Sequence, residues 1–436
     1  MDVKLCKLYG LLQTLNSEPL NISLSCIVEN KGNIEQWWQE QNHLFRAIAS
    51  SSDRINLTEK DQAKSQEITV KHPISGQILT INNSQNSDFS SIFEQVKDLN
   101  PQQALWWCWR FLPEIMAQNQ SKNLLYPAHR ILPDCPYHSY ASTVSALIGA
   151  ICDENLATKN QPYLLLFTFS PVQEFIKASR KFLDFWSGSY LLHYLSAKIC
   201  FFIANKYGAD AVITPSLWGQ EIIDALMIKN LDQETNNLFT ASFKNIFESN
   251  PVDNFNNNIS NSLATAGFPN VITVLVSGKE EAQNLGQELQ EQIKEEWKNI
   301  ADNVRKKVKK TVKEGVEKGI EKKPNQFVPL WDLIKDKFNN NPAYKEELET
   351  WKESGCWEWN KLWEAQIDHT WETYYTAIPL GDPDQDLTIE KITDIWKKAQ
   401  TAIANPKEDQ DIPTVAEVKL YQEFNVGSFW GAIQAR

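Results

Sequence analysis

Cationic side chains gather in two places in this chain, and both placements suit contact with anions. Residues 305–323, RKKVKKTVKEGVEKGIEKK, are rich in lysine with only Glu314, Glu317 and Glu321 opposing, and Pro324 ends the run. A helical basic arm led by Arg305, Lys306, Lys307, Lys309 and Lys310 could neutralise RNA phosphates. A solvated helix extension explains the same residues and weighs slightly more. The second group is shorter: Lys177, Arg180 and Lys181 share one side of a helical pattern with Asp184, while Val172, Phe175, Ile176, Phe182 and Leu183 occupy the other. That pattern runs into Trp186-Ser187-Gly188-Ser189-Tyr190, where small polar residues interrupt it, before Leu191, Leu192, Leu195, Ile199, Phe202 and Ile203 resume it.

Histidine chemistry has little to work with. His43, His72, His129, His138, His193 and His369 are scattered, with no H-x-x-x-H spacing. His129 and His138, beside Asp134, come nearest to a pair, but Pro133 and Pro136 mark a loop there and the spacing fits no standard metal site. No metal ligand set and no catalytic residue is assigned. Seven cysteines (Cys6, Cys26, Cys108, Cys135, Cys152, Cys200, Cys356) include no C-x-x-C and suit core packing in a reducing compartment.

The elements that must position these groups follow from periodicity. A strand over 163–169 leads through Ser170, as N-cap, and Pro171, at the first helical position, into one long helix over 171–206, broken at Ser187-Gly188-Ser189 and closed by Gly208. Strands at 211–215 and 270–276, a helix from 279 to about 310 and a strand at 373–378 complete a βαββαβ order, with insertions at about 216–265 and 311–370. The expected fold class is α+β: a mostly helical domain over 1–155, then a ferredoxin-like unit with helical insertions over 160–436. Such units serve many functions. Asn82–Ser91 reads as a polar loop, and the Asn-rich 236–262 as loosely packed.

Composition bounds the rest. The chain has 436 residues, enough for two or three domains, and a net charge of −12, which confines nucleic-acid contact to local patches. Ten of its sixteen tryptophans cluster at 37–38, 106–109 and 351–371. Core packing is the main expectation for them, subunit contact the next and base stacking the least. No uncharged apolar run reaches the ~18 residues of a membrane span, and Met-Asp-Val-Lys-Leu is no secretory start, so a cytoplasmic protein without a membrane partner is expected.

The stretch PVQEFIKASRKFLDFWSGSYLLHYLSAK, followed by YGADAVITPSLWGQEIID, resembles the large signature subunit of type III-B (Cmr-type) CRISPR RNA-guided complexes, the Cas ten family. LYPAHRILPDCPYHSYASTVSAL (125–147) is similar to the linker before that family's first palm domain. AGFPNVITVLVSG and LWEAQIDHTWETYYTAIPLG resemble two of its palm strands. The resemblance implies an N-terminal HD-type domain, but Gln13-Thr14 stands where His-Asp is expected, while AIASSSDRINL keeps Asp53 and Arg54. This implies a degenerate HD-like domain without its metal site. The family's second activity, making cyclic oligoadenylates from ATP, uses a GGDD turn with Mg²⁺ in a second palm, and the sequence contains no GGDD. The family's zinc-binding insertion between the two palms has no C-x-x-C to match it here, and the final NVGSFWGAIQAR resembles the junction just before that insertion.

What the resemblance implies is a non-catalytic large-subunit half that caps the guide RNA at its 5′-tag end and helps sense target RNA, with other complex subunits, guide RNA and target RNA as partners. The alternative is half of a split nucleotidyl cyclase, completed by a GGDD-bearing chain. No cofactor is expected in this chain alone; ATP and Mg²⁺ enter only with a second palm. On the same resemblance Arg180, Lys181, Ser187, Gly188 and Ser189 are candidate contacts to nucleotide phosphates.

Overall fold

The computed structural model describes residues 2–15, 22–50, 67–72, 74–82, 89–117, 121–128, 135–152, 156, 161–248, 250–256, 267–322 and 360–381. These fall into two compact units. The larger comprises Met1–Thr168, Ser179–Gln287 and the chain from Tyr375 on; the smaller comprises Phe169–Ala178 and Glu288–Tyr374.

The N-terminal part of the larger unit is helical: α1 (Val3–Leu15), α2 (Ser25–Val28), α3 (Lys31–Ser50), α4 (Ser90–Gln95), α5 (Pro101–Met116) and α6 (Tyr137–Ile151), with a hairpin of β1 (Glu67–Lys71) and β2 (Ile78–Asn82) between α3 and α4. Helix α1 is apolar around most of its circumference and is buried accordingly, against α6, α5 and α3. Gly10 permits the closeness of α1 and α6: a Cβ there would lie 2.2 Å from Ile148 Cδ1 and 3.2 Å from the Trp38 ring. Helix α5 starts at a capping box, in which the Asn100 side chain accepts from the Gln103 N–H (2.9 Å), the Gln103 side chain accepts from the Asn100 N–H (3.3 Å), and Pro101 takes the first helical position. Trp37, Trp38, Trp106, Trp107 and Trp109 are all buried, so two of the three tryptophan clusters are core. Trp351, Trp357 and Trp359 lie outside the described residues.

Next come β3 (Pro162–Ser170), α7 (Val172–Lys177), α8 (Phe182–Tyr207), β4 (Val212–Thr214), α9 (Glu221–Leu231), α10 (Leu238–Phe247), α11 (Pro251–Asn256), β5 (Val271–Ser277), α12 (Gly278–Lys322), α13 (Asn360–Asp368) and β6 (Glu372–Pro379). The strand order is β4-β5-β3-β6, with β5 antiparallel to both β4 and β3; Leu164 lies opposite Leu275 and Phe167 opposite Ile272. Alternate β3 residues Leu165, Phe167 and Phe169 are fully buried whereas Leu166 on the other face is 38% exposed, the period-2 signature of a sheet with one dry face. The chain is thus α+β, mostly helical, with a small antiparallel sheet.

Three expectations are corrected. Ser170 ends β3, and Pro171 stands in the N-cap position of the short α7 without a side-chain cap. The single broken helix is two helices, and the break lies at 178–181; residues 186–190 sit inside continuous α8. One glycine and two serines cost a helix only about 1 kcal/mol or less each, and Ser187 Oγ donates to the Leu183 carbonyl of its own helix (2.9 Å). The 236–262 region is not loosely packed in its described part, because α10 buries Phe239 and Phe243 against Phe111 of α5.

Candidate functional site

The start of α8 gathers the candidate nucleotide contacts within the larger unit. Lys181 is the N-cap residue, extended at φ −129° and ψ 157°, and its carbonyl accepts from the Phe185 N–H (3.0 Å). Arg180 and Lys181 are exposed. Ser187, Gly188 and Ser189 lie roughly 9 Å farther along the axis, at 1.5 Å per residue. They point about 100° apart, so they form no single concave cradle. Gly188 is buried and the two serines are half-buried. Backbone N–H groups inside a continuous helix are committed to carbonyls four residues earlier, so a phosphate could meet Ser187 and Ser189 only through their hydroxyls.

Periodicity alone placed Phe182 and Leu183 on the buried face. They are instead 85% and 69% exposed, with Phe185 at 50% and Trp186 at 41%. From there an aromatic row descends into the core. Trp186 stacks on Tyr190 (5.4 Å between centroids, 16°), Tyr190 meets His193 (5.5 Å) and His193 meets Phe268 edge-on (5.3 Å). His193 Nδ1 accepts from the N–H groups of Gly267 (3.1 Å) and Phe268 (3.0 Å), which requires a bare Nδ1; burial lowers its pKa in the same direction. His193 is therefore a structural acceptor that orients the 267–268 backbone. The i, i+4, i+8, i+11 spacing of Phe182, Trp186, Tyr190 and His193 is the sequence signal that marks this row.

In the smaller unit, the basic run lies on the last turns of α12. Arg305 is half-buried with its guanidinium 5.0 Å above the Trp363 ring, a cation–π contact that fixes it to α13. Lys306, Lys307 and Lys310 are exposed; the Lys309 side chain lies outside the described residues. Nearby, Trp371 is buried among Phe169, Phe175 and Trp297 at 5.6, 4.8 and 5.3 Å.

His138 stacks on Trp218 (4.7 Å, 28°), and burial lowers its pKa to about 4; His129 and Asp134 lie outside the described residues. Gln13 gives its carbonyl to Arg46 Nη2 (3.0 Å) and Thr14 is buried. Sequence reasoning missed a buried pair: Arg110 clasps Asp224 bidentately (Nε to Oδ1 2.8 Å, Nη2 to Oδ2 2.9 Å), with its guanidinium 4.9 Å from the Phe247 ring. Among the described residues no three His, Cys, Asp or Glu side chains converge as a metal site would require, and no helix is long and apolar enough to cross a membrane.

The segment that carries α8 and the central strands is similar in sequence to CRISPR-associated proteins. Residues 164–302 match the family model described as CRISPR-associated protein Cmr2, N-terminal. The particular likeness is to Cmr2 of type III-B systems: the CRISPR system Cmr subunit Cmr2 of Pyrococcus furiosus is 30% identical over 162 residues, which are 37% of this chain and 14% of that protein. A chain of the type III-B Cmr-beta complex, determined by cryo-EM in the apo state, shares the fold at TM-score 0.52 and 14% identity, over 97% of this chain and 40% of that one. The chain is Cmr2-like, and it spans well under half the length of either relative.

Proposed function

We propose that this chain is a large-subunit component of a type III-B CRISPR RNA-guided ribonucleoprotein, cytoplasmic, working with other Cmr subunits, guide RNA and target RNA. The observation that carries this reading is the match of residues 164–302 to the Cmr2 N-terminal model, because that segment includes the whole of α8 and β5 and all but the first two residues of β3. In this reading residues 160–436 are a ferredoxin-like palm. The strand order supports it: numbering its strands from β3, the sheet runs 2-3-1-4, the order of a βαββαβ unit with each neighbour antiparallel. The helical residues 1–155 are the degenerate HD-like domain, supported by Gln13-Thr14 packing as ordinary α1 residues.

The chain's role is to cap the guide RNA at its 5′-tag end and help sense target RNA, without chemistry of its own. Arg180, Lys181, Ser187 and Ser189 are its candidate contacts to nucleotide phosphates, with Gly188 between the two serines. Arg305, Lys306, Lys307, Lys309 and Lys310 are its candidates for RNA backbone, with Arg305 the least available because Trp363 holds its guanidinium.

The test is to purify the chain from its host at low salt, sequence the bound RNA and identify co-eluting proteins by mass spectrometry. Repeat-tagged guides with Cmr subunits are the expected result, and a bare chain overturns the reading. The palm topology also favours a second reading, half of a split nucleotidyl cyclase. In that case a co-eluting GGDD-bearing chain would make oligoadenylate from ATP and Mg²⁺ only together with this one.

A further inference from the structure

A helix rarely leaves four large apolar side chains within five residues in water, and a patch of this kind marks a binding surface. Phe182, Leu183, Phe185 and Trp186 are 85%, 69%, 50% and 41% exposed at the start of α8. At about 100° per residue, Phe185, Phe182 and Trp186 fall within one third of the helix circumference, and Leu183 extends that face. Asp184, the sole acid of this turn, points away from it. Tyr190 continues the face one turn on, already stacked under Trp186 at 5.4 Å and 16°. Two exposed cations, Arg180 and Lys181, stand immediately before the aromatic turn.

Aromatic rings in a row, edged by cations, are the composition of surfaces that stack bases and neutralise a sugar-phosphate backbone. A docking face for another protein's apolar helix would need neither the two cations nor three aromatics on one arc. The net charge of −12 repels nucleic acid elsewhere, so binding would concentrate on a local patch of this kind. The edges of the row also have a rigid base, because Tyr190 rests on His193, whose Nδ1 is held by two backbone N–H groups.

We propose that the α8 face formed by Phe182, Phe185, Trp186 and Tyr190, with Arg180 and Lys181 at its edge, is a stacking surface for the bases of a single-stranded nucleic acid. It extends the candidate phosphate contact at Arg180 and Lys181 to base recognition, and rests on that reading for those two cations alone. Stacking is tolerant of base identity, so the surface takes a strand without reading its sequence.

The experiment is fluorescence anisotropy of a labelled twelve-nucleotide oligouridine with the full 436-residue chain, repeated across a salt series. The Phe182→Ala/Phe185→Ala pair should weaken binding by about tenfold or more without changing the salt slope. The Arg180→Gln/Lys181→Gln pair should flatten the log–log salt slope by roughly 1.4. The replaced side chains are exposed, and melting curves matching the unaltered chain verify folding. With 4-thiouridine in the strand, photocrosslinks should map to Trp186 or Tyr190. Absence of binding by the unaltered chain at low salt overturns the proposal, as does an aromatic pair that binds within twofold of it. If that pair keeps RNA affinity but loses a co-eluting subunit, the face is a protein interface and the proposal is wrong. Assembly into a Cmr-type complex is read by co-purification, so either result can fail without the other.

Discussion

The Lys7 ammonium lies 3.1 Å from Asp210 Oδ1, with both side chains out of water, one on α1 and the other just beyond the end of α8. Lys7 also donates to the Tyr207 carbonyl. Neither carboxylate oxygen of Asp210 accepts a well-angled hydrogen bond among the described residues, so the charge of Lys7 is its main compensation. Gly208 makes room for the pair: its φ of +105° suits glycine, and a Cβ there would lie 2.3 Å from Asp210 Oδ1 and 2.9 Å from Lys7 Nζ.

Removing one partner should strand the other charge in the interior. Asp210→Ala is expected to lower the unfolding free energy by about 3–5 kcal/mol, whereas Lys7→Met with Asp210→Leu should recover most of the loss. Urea titrations of the three chains decide it. Equal stability of the single and double variants would mean that Asp210 is compensated some other way.

Gly10→Ala should cost about 1–3 kcal/mol, because the new methyl would overlap Ile148 Cδ1, which lies 2.2 Å from an ideal Cβ. That atom ends a flexible side chain, so Ile148→Val in the same chain should relieve part of the cost. Thermal melts of the two variants measure the relief, and a double variant no better than the single one would place the conflict at Trp38 instead.

His138 gives a pH signature. Burial against Trp218 lowers its pKa to about 4, below the ordinary imidazole value near 6.5. Its contribution is therefore fully present above about pH 6.5 and is lost as pH falls toward 4, where the unfolded chain takes up a proton that the folded chain refuses. The loss could reach about 3 kcal/mol. His138→Phe should flatten the stability profile across this window, read by denaturant midpoints at pH 7, 5.5 and 4.5.

The lysines of the basic run should act as point charges. Lys306→Gln, Lys307→Gln and Lys310→Gln together should lower single-strand affinity uniformly across sequences and reduce the log–log salt slope by roughly 2. Arg305→Gln should instead destabilise the packing on Trp363, since its guanidinium lies over that ring. An unchanged salt slope in the triple variant would assign the run to a solvated helix end.

Much of the architecture was legible locally. The apolar runs expected as strands at 163–169 and 270–276 fold as β3 and β5, and the Lys-rich segment after Arg305 continues α12. Gly208 closes α8 as its place after the periodic run required. These follow from side-chain period and backbone chemistry, which act over a few residues. The position of the helix break did not follow, because residues 178–181 contain no helix breaker while 187–189 contain a glycine that the helix tolerates.

What the sequence by itself determined is the element order, the likeness to Cmr2 over 164–302, and the local cationic groups. Tertiary structure alone decided which faces meet water. Phe182 and Leu183 carry the same apolar character as Leu192 and Leu195 and share their helix, yet the first pair is exposed and the second buried. The Lys7–Asp210 and Arg110–Asp224 pairs join residues 203 and 114 positions apart. No local pattern encodes either, because burial and charge pairing depend on which elements the folded chain brings together, and side-chain periodicity reports only that a face is apolar.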